Sequence, residues 1–104
     1  MISIRATVYR EDANKPWLMD ANLPWYATWE QYMYNTYINT GKMQEYTRQY
    51  ASNGLSYTMI INFTSEENFA EFNQDPTVAQ FKQNRDNYYS QNNMFAYYER
   101  VLNA

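Results

Sequence analysis

From Leu55 to Phe63 the chain alternates without a break: Leu55, Tyr57, Met59, Ile61 and Phe63 fall on one side, Ser56, Thr58, Ile60 and Asn62 on the other. A period of two is strand geometry. A strand with one apolar face must cover that face with another layer, so this segment commits the chain to a sheet packed against something else. Immediately ahead stands Asn53-Gly54, a strong short-range hairpin signal, because both residues tolerate the positive φ angles of a type I′ turn. A strand behind such a turn calls for a strand in front of it. The segment in front carries two patterns. Gln44, Tyr46, Arg48 and Tyr50 fit one strand face, whereas Met43, Tyr46 and Tyr50 fit helical spacing. The turn favours strand–turn–strand over 43–63, and a helix over 42–51 is the alternative.

The remaining elements follow from the same two periods. Ile2, Ile4, Ala6 and Val8 alternate with Ser3, Arg5, Thr7 and Tyr9, which predicts a half-buried strand. Residues 11–22 are irregular and read as a long surface connection with Trp17 and Leu18 as anchors. Pro24 suits a first helical position, with Asn22 or Leu23 near the cap, and Trp25, Trp29, Tyr32, Met33 and Thr36 mark one face of a helix over 24–40 that Gly41 stops. Thr64-Ser65-Glu66-Glu67 has the form of a capping box with Thr64 as its hydroxyl. Phe69 and Phe72 then face inward until Asp75-Pro76 breaks the helix and restarts it, with Asp75 as N-cap. Val78, Phe81, Arg85, Tyr88 and Tyr89 carry the second helix. Asn92-Asn93 is a turn, and Met94–Leu102 is a last strand with no wholly polar face. The chain therefore reads as one α+β domain spanning 1–104. Its order is the ferredoxin-like βαββαβ plan, a four-stranded antiparallel sheet with helices on one face.

Composition removes most of the usual chemistry. The chain has 12 tyrosines, 3 tryptophans and 5 phenylalanines, but no histidine and no cysteine. That leaves no thiolate nucleophile, no imidazole base, no Cys or His metal ligand and no disulfide. No metal site and no cofactor are expected. The net charge of −3 comes without a basic block, so nucleic-acid binding has no electrostatic footprint. Apolar runs are too short to span a membrane, and Met-Ile-Ser-Ile-Arg at the start has no apolar signal core, so the expected setting is cytoplasmic. Asparagine and tyrosine share A/T-rich codons, which is compatible with a viral or marine microbial source. The carboxylates suggest structural roles. Glu66 and Glu67 suit a helix N-terminus, where negative charge gains roughly 0.3–1 kcal/mol, and Glu99 is expected to meet a cross-strand base, Arg5 or Arg48.

The element order, together with Thr64-Ser65-Glu66-Glu67, Phe69, Phe72, Asp75-Pro76, Val78 and Phe81 after the third strand, resembles the dimeric α/β-barrel group, the fold of the antibiotic-biosynthesis monooxygenases. The resemblance implies a homodimer whose sheets face each other, with a pocket in each subunit between sheet and helices. Members include cofactor-free oxygenases of aromatic polyketides, haem-degrading enzymes and decarboxylases. The haem-degrading members bind iron through histidine, which this chain lacks.

Under that plan Trp25, Trp29, Tyr32, Tyr57 and Met59 are the pocket candidates, placed there if the first helix covers the third strand. The plain alternative is that they are core, since aromatics at helical spacing are usually packing. The expectation for function is a homodimer that binds a small aromatic ligand or a protein partner. The alternative is a cofactor-free monooxygenase-like enzyme acting on an aromatic substrate. Tyr46, Tyr50, Tyr97 and Tyr98 are the tyrosines that packing explains least.

Overall fold

The computed structural model describes residues 1–101. Four strands, β1 (Ile2–Arg10), β2 (Gln49–Tyr50), β3 (Ser56–Phe63) and β4 (Met94–Val101), form one antiparallel sheet in the order β2-β3-β1-β4. Three α-helices pack on it: α1 (Pro24–Met33), α2 (Glu66–Gln74) and α3 (Pro76–Gln91). Among the described residues no helix is long and apolar enough to cross a membrane.

β1 is an interior strand with a long partner on each side. It pairs with β3 from Ile2↔Phe63 to Tyr9↔Ser56 and with β4 from Ser3↔Val101 to Arg10↔Met94. Its inward residues are correspondingly sealed, with Ala6 and Val8 wholly buried. Two apolar clusters sit at the two ends of β1. One gathers Ile2, Trp29, Met33, Tyr37, Met43, Phe63 and Val78; the other gathers Val8, Trp17, Leu18, Tyr57, Tyr89 and Met94. Trp17 and Leu18 do anchor the 11–23 connection. The Trp17 ring meets Tyr57 edge-on at 4.9 Å, and the Arg10 guanidinium lies 4.1 Å from its centroid.

The first helix departs from its expected face after Met33. Residues Tyr34–Ile38 form a π-helical turn, closed by Asn39 N–H donating to Tyr34 O at 2.8 Å. Trp29, Met33 and Tyr37 are the buried positions. Steps of four advance about 40° each around an α-helix of 3.6 residues per turn, so Tyr37 would rotate off the core. The wider i→i+5 turn takes that rotation back. Gly41, at φ +78°, ends the helix in the left-handed conformation glycine permits.

The segment ahead of β3 is neither a regular strand nor a helix. Met43 bridges Phe63, and Gln49 pairs with Thr58. Going from Met43 to Gln49 takes six residues, while returning from Phe63 to Thr58 takes five. The extra residue is a bulge, which breaks the ladder across 44–48 and changes which residues face inward. The Asn53-Gly54 turn is also not type I′: Gly54 alone takes positive φ there, at +72°. Ala51 N–H donates to Ser56 O at 2.9 Å across a four-residue loop. Arg10 dictates this shape, with its Nε on Gly54 O at 2.9 Å and its amide on Leu55 O at 3.0 Å. The tertiary anchor outweighs the local preference.

The helix cap at α2 lies one residue later than the sequence pattern places it. Ser65 Oγ accepts from Asn68 N–H at 3.1 Å. The Thr64 hydroxyl is drawn away, donating to Gly41 O at 3.0 Å while accepting from the Asn68 side chain at 2.7 Å. Asp75 caps α3 as expected, accepting from Thr77 N–H at 2.8 Å with Pro76 at the first position.

Candidate functional site

Between the sheet and the helices lies a cavity of about 320 Å³. Its floor is the inward face of β1 and β3, with Ile4, Tyr57, Met59, Ile61 and Phe63. Its cover is Tyr26, Trp29 and Met33 of α1, with Phe81, Arg85 and Tyr89 of α3. Trp29 lies flat on Phe81, the centroids 4.1 Å apart and the planes 7° from parallel, and this stack joins the two helices above the cavity.

Three of the five sequence-predicted residues, Trp29, Tyr57 and Met59, line this cavity. Trp25 and Tyr32 do not. They line a shallower groove on the outside, between α1 and α3, with Pro76, Gln80 and Asn84. Trp29 and Phe81 border both spaces, so their stack is the wall between them. Tyr32 has a structural partner: its hydroxyl and that of Tyr37 donate to Asp75 Oδ2 at 2.5 and 2.6 Å. Burial works to raise the Asp75 carboxyl, but the two phenols and the amides of Thr77 and Val78 outweigh it and hold it below the usual carboxylate range. Burial and the same carboxylate push the Tyr37 phenol well up.

The bulge supplies wall residues absent from the pocket candidates. Met43, Tyr46 and Arg48 all point into the cavity. Met43 to Tyr46 is a step of three and Tyr46 to Arg48 a step of two, as one inserted residue requires. The Arg48 guanidinium stands 5.7 and 5.6 Å from the ring centroids of Tyr46 and Tyr57 and donates from one terminal nitrogen to Tyr26 Oη at 3.2 Å. Its Nε is buried, and among the described residues no acceptor reaches it. Burial opposes the charge on Arg48, but the phenols of Tyr26, Tyr46 and Tyr57 outweigh it, so the guanidinium stays ionised.

The phenols around it are held protonated. Burial pushes Tyr26, Tyr46 and Tyr89 up from the ordinary tyrosine value, and neighbouring Tyr57 adds to the rise in each case. At neutral pH they donate or accept hydrogen bonds and are not bases. Among the described residues no cluster of three or more His, Cys, Asp or Glu converges to hold a metal ion.

The opposite face of the sheet bears Tyr9, Ile60, Phe95 and Tyr97, exposed at 44, 44, 49 and 64%. Tyr9 faces Phe95 in the register and meets Tyr97 edge-on at 5.8 Å. Glu99 finds Arg5 at 2.7 Å, the cross-strand base expected of it. No known family matches the chain, and comparisons with curated proteins and with solved structures find no match.

Proposed function

We propose that this chain is a binding protein of ferredoxin-like architecture that holds a small aromatic ligand in the cavity between its sheet and helices. The observation that carries the reading is the cavity itself. At about 320 Å³ it is within the range of small-molecule sites, its wall is aromatic and methionine-rich, and a few polar groups converge on it. A well-packed core leaves few voids larger than a water molecule, so a space of this size under a stacked Trp–Phe pair favours a site over plain packing. The architecture has support in the pairing. β3 separates β1 from β2, and β1 separates β3 from β4, with helices in both crossovers, as two interleaved split βαβ units require. The protonated phenols favour binding over the cofactor-free oxygenase alternative, because a substrate would have to arrive already ionised. Thermal-shift titration with one- and two-ring aromatic compounds tests the reading. Stabilisation of the native chain that disappears in Met59→Phe, which fills the floor, is the expected result. An equal response in both would reject it.

We also propose that a second copy of the chain covers the outer sheet face. Its support is the row of four large half-exposed side chains on three adjoining strands, more than singly scattered surface apolar residues. Sedimentation equilibrium checks this. A 12.6 kDa species at tens of micromolar protein would overturn it and leave the face to a different partner.

A further inference from the structure

The chain is acidic overall, but its cavity is not. Four of its eight basic residues, Arg48, Lys82, Arg85 and Arg100, line the cavity, against one of its eleven acids, Glu99. Glu99 is engaged by Arg5. Arg85 pairs with Asp86 at 3.0 Å and Arg100 with Glu66. Arg48 and Lys82 have no carboxylate partner among the described residues. Lys82 makes a long contact to Asn73 Oδ1 at 3.4 Å and stands 5.7 Å from the Phe72 ring centroid, and burial together with neighbouring Arg85 disfavours its charge more than Asp86 favours it. Two cations with no bonded carboxylate among the described residues thus share one largely apolar space in a protein with acid to spare.

Arg48 is the more informative of the two. Ring faces of Tyr46 and Tyr57 and the Tyr26 hydroxyl account for the guanidinium plane and one terminal nitrogen. Cation–π contacts contribute roughly 0.5–2 kcal/mol each, while a buried charge without its counter-charge costs several. The Nε–H is sealed from the cavity and unmatched among the described residues, so a ligand would meet Arg48 at its terminal nitrogens, whose planar fork recognises a carboxylate.

We infer that the ligand of this cavity is an aromatic carboxylate, its rings beneath the Trp29–Phe81 stack and its carboxylate accepting from the terminal nitrogens of the Arg48 guanidinium. This rests on the cavity reading above and adds the charge of the ligand to it. Lys82 and Arg85, three residues apart on α3, contribute a second positive stretch of wall that raises the local concentration of an anion.

Calorimetric titration of the native chain with naphthoate and with its neutral analogue naphthamide tests the inference. Naphthoate should bind at least about tenfold more tightly, as a charge-assisted hydrogen bond in a desolvated site would give. Arg48→Met should bring the two ligands level. Arg48→Lys keeps a charge on a flexible stem but lacks the planar fork of terminal nitrogens, and should lose most of the preference. In the ¹H–¹⁵N spectrum the terminal N–H resonances of the Arg48 guanidinium should move with naphthoate and not with naphthamide. Equal affinity in the native chain, or a preference that survives in a folded Arg48→Met, overturns the inference and leaves the cavity reading standing. Binding of neither compound overturns both.

Discussion

The Trp29 indole and the Phe81 ring lie face to face at 4.1 Å, one from α1 and one from α3, and together they separate the inner cavity from the outer groove. Replacing Trp29 with alanine deletes the stack and its contacts to Phe72 and Tyr32. The expected loss is about 3–5 kcal/mol, as for other buried aromatic truncations, a large share of the roughly 5–15 kcal/mol available to a domain of this size. Urea unfolding should show it, and Trp25→Ala, at a half-buried residue on the edge of the other apolar cluster, should cost less.

Asp75 ties α1 to α3 through the phenols of Tyr32 and Tyr37 and caps α3 as well. Its carboxyl titrates lower in the folded chain than in the unfolded one. The stability it contributes is therefore full above the unfolded carboxyl range, near pH 4, and is lost as pH falls through the folded value. Asp75→Asn should lower stability at pH 7 and flatten its acid-side decline. Urea midpoints measured from pH 2 to pH 6 check both.

Ser65 caps α2, and Thr64 does not. Ser65→Ala should cost about 0.5–2 kcal/mol by loss of the bond from Asn68 N–H. If unfolding instead showed Ser65→Ala to be neutral, the cap assignment would be wrong.

The Arg5–Glu99 pair sits in the middle of the outer sheet face, with side chains 44 and 63% exposed in the single chain. An exposed pair is worth about 0–1 kcal/mol. Under a second copy it would be desolvated, and breaking it by Glu99→Gln should weaken self-association as well as change stability. Sedimentation of the variant beside the native chain separates the two cases.

The elements with a clean period were legible in the sequence. β1, β3, the first part of α1 and the Asp75-Pro76 break stand where alternation, helical spacing and cap chemistry put them. The cavity was legible only through Trp29, Tyr57 and Met59. Arg48 was hidden because its position depends on a bulge. One inserted residue converts a strand step of two into a step of three, which is also a helical step, so Tyr46 and Tyr50 fitted either period while Met43 fitted the helical one alone. The π turn hid Tyr37 in the same way, by restoring to the core a residue that α-helical geometry would turn aside. Arg10 altered the Asn53-Gly54 turn from far along the chain. Each miss is a tertiary contact overriding a local rule. Of the tyrosines that packing explained least, Tyr46 and Tyr98 line the cavity, while Tyr50 and Tyr97 stand out in solvent.

The cavity can be tested through its methionines. Of six in the chain, Met19, Met33, Met43 and Met59 line it, while Met1 is 58% exposed and Met94 is packed beyond it. With ¹³C-methyl-labelled methionine, titration with naphthoate should shift the four cavity methyls in a saturable way and leave Met1 and Met94 in place. Shifts confined to Met1 or Met94, or no shift in any of the four at saturating ligand, would contradict a ligand site between this sheet and its helices.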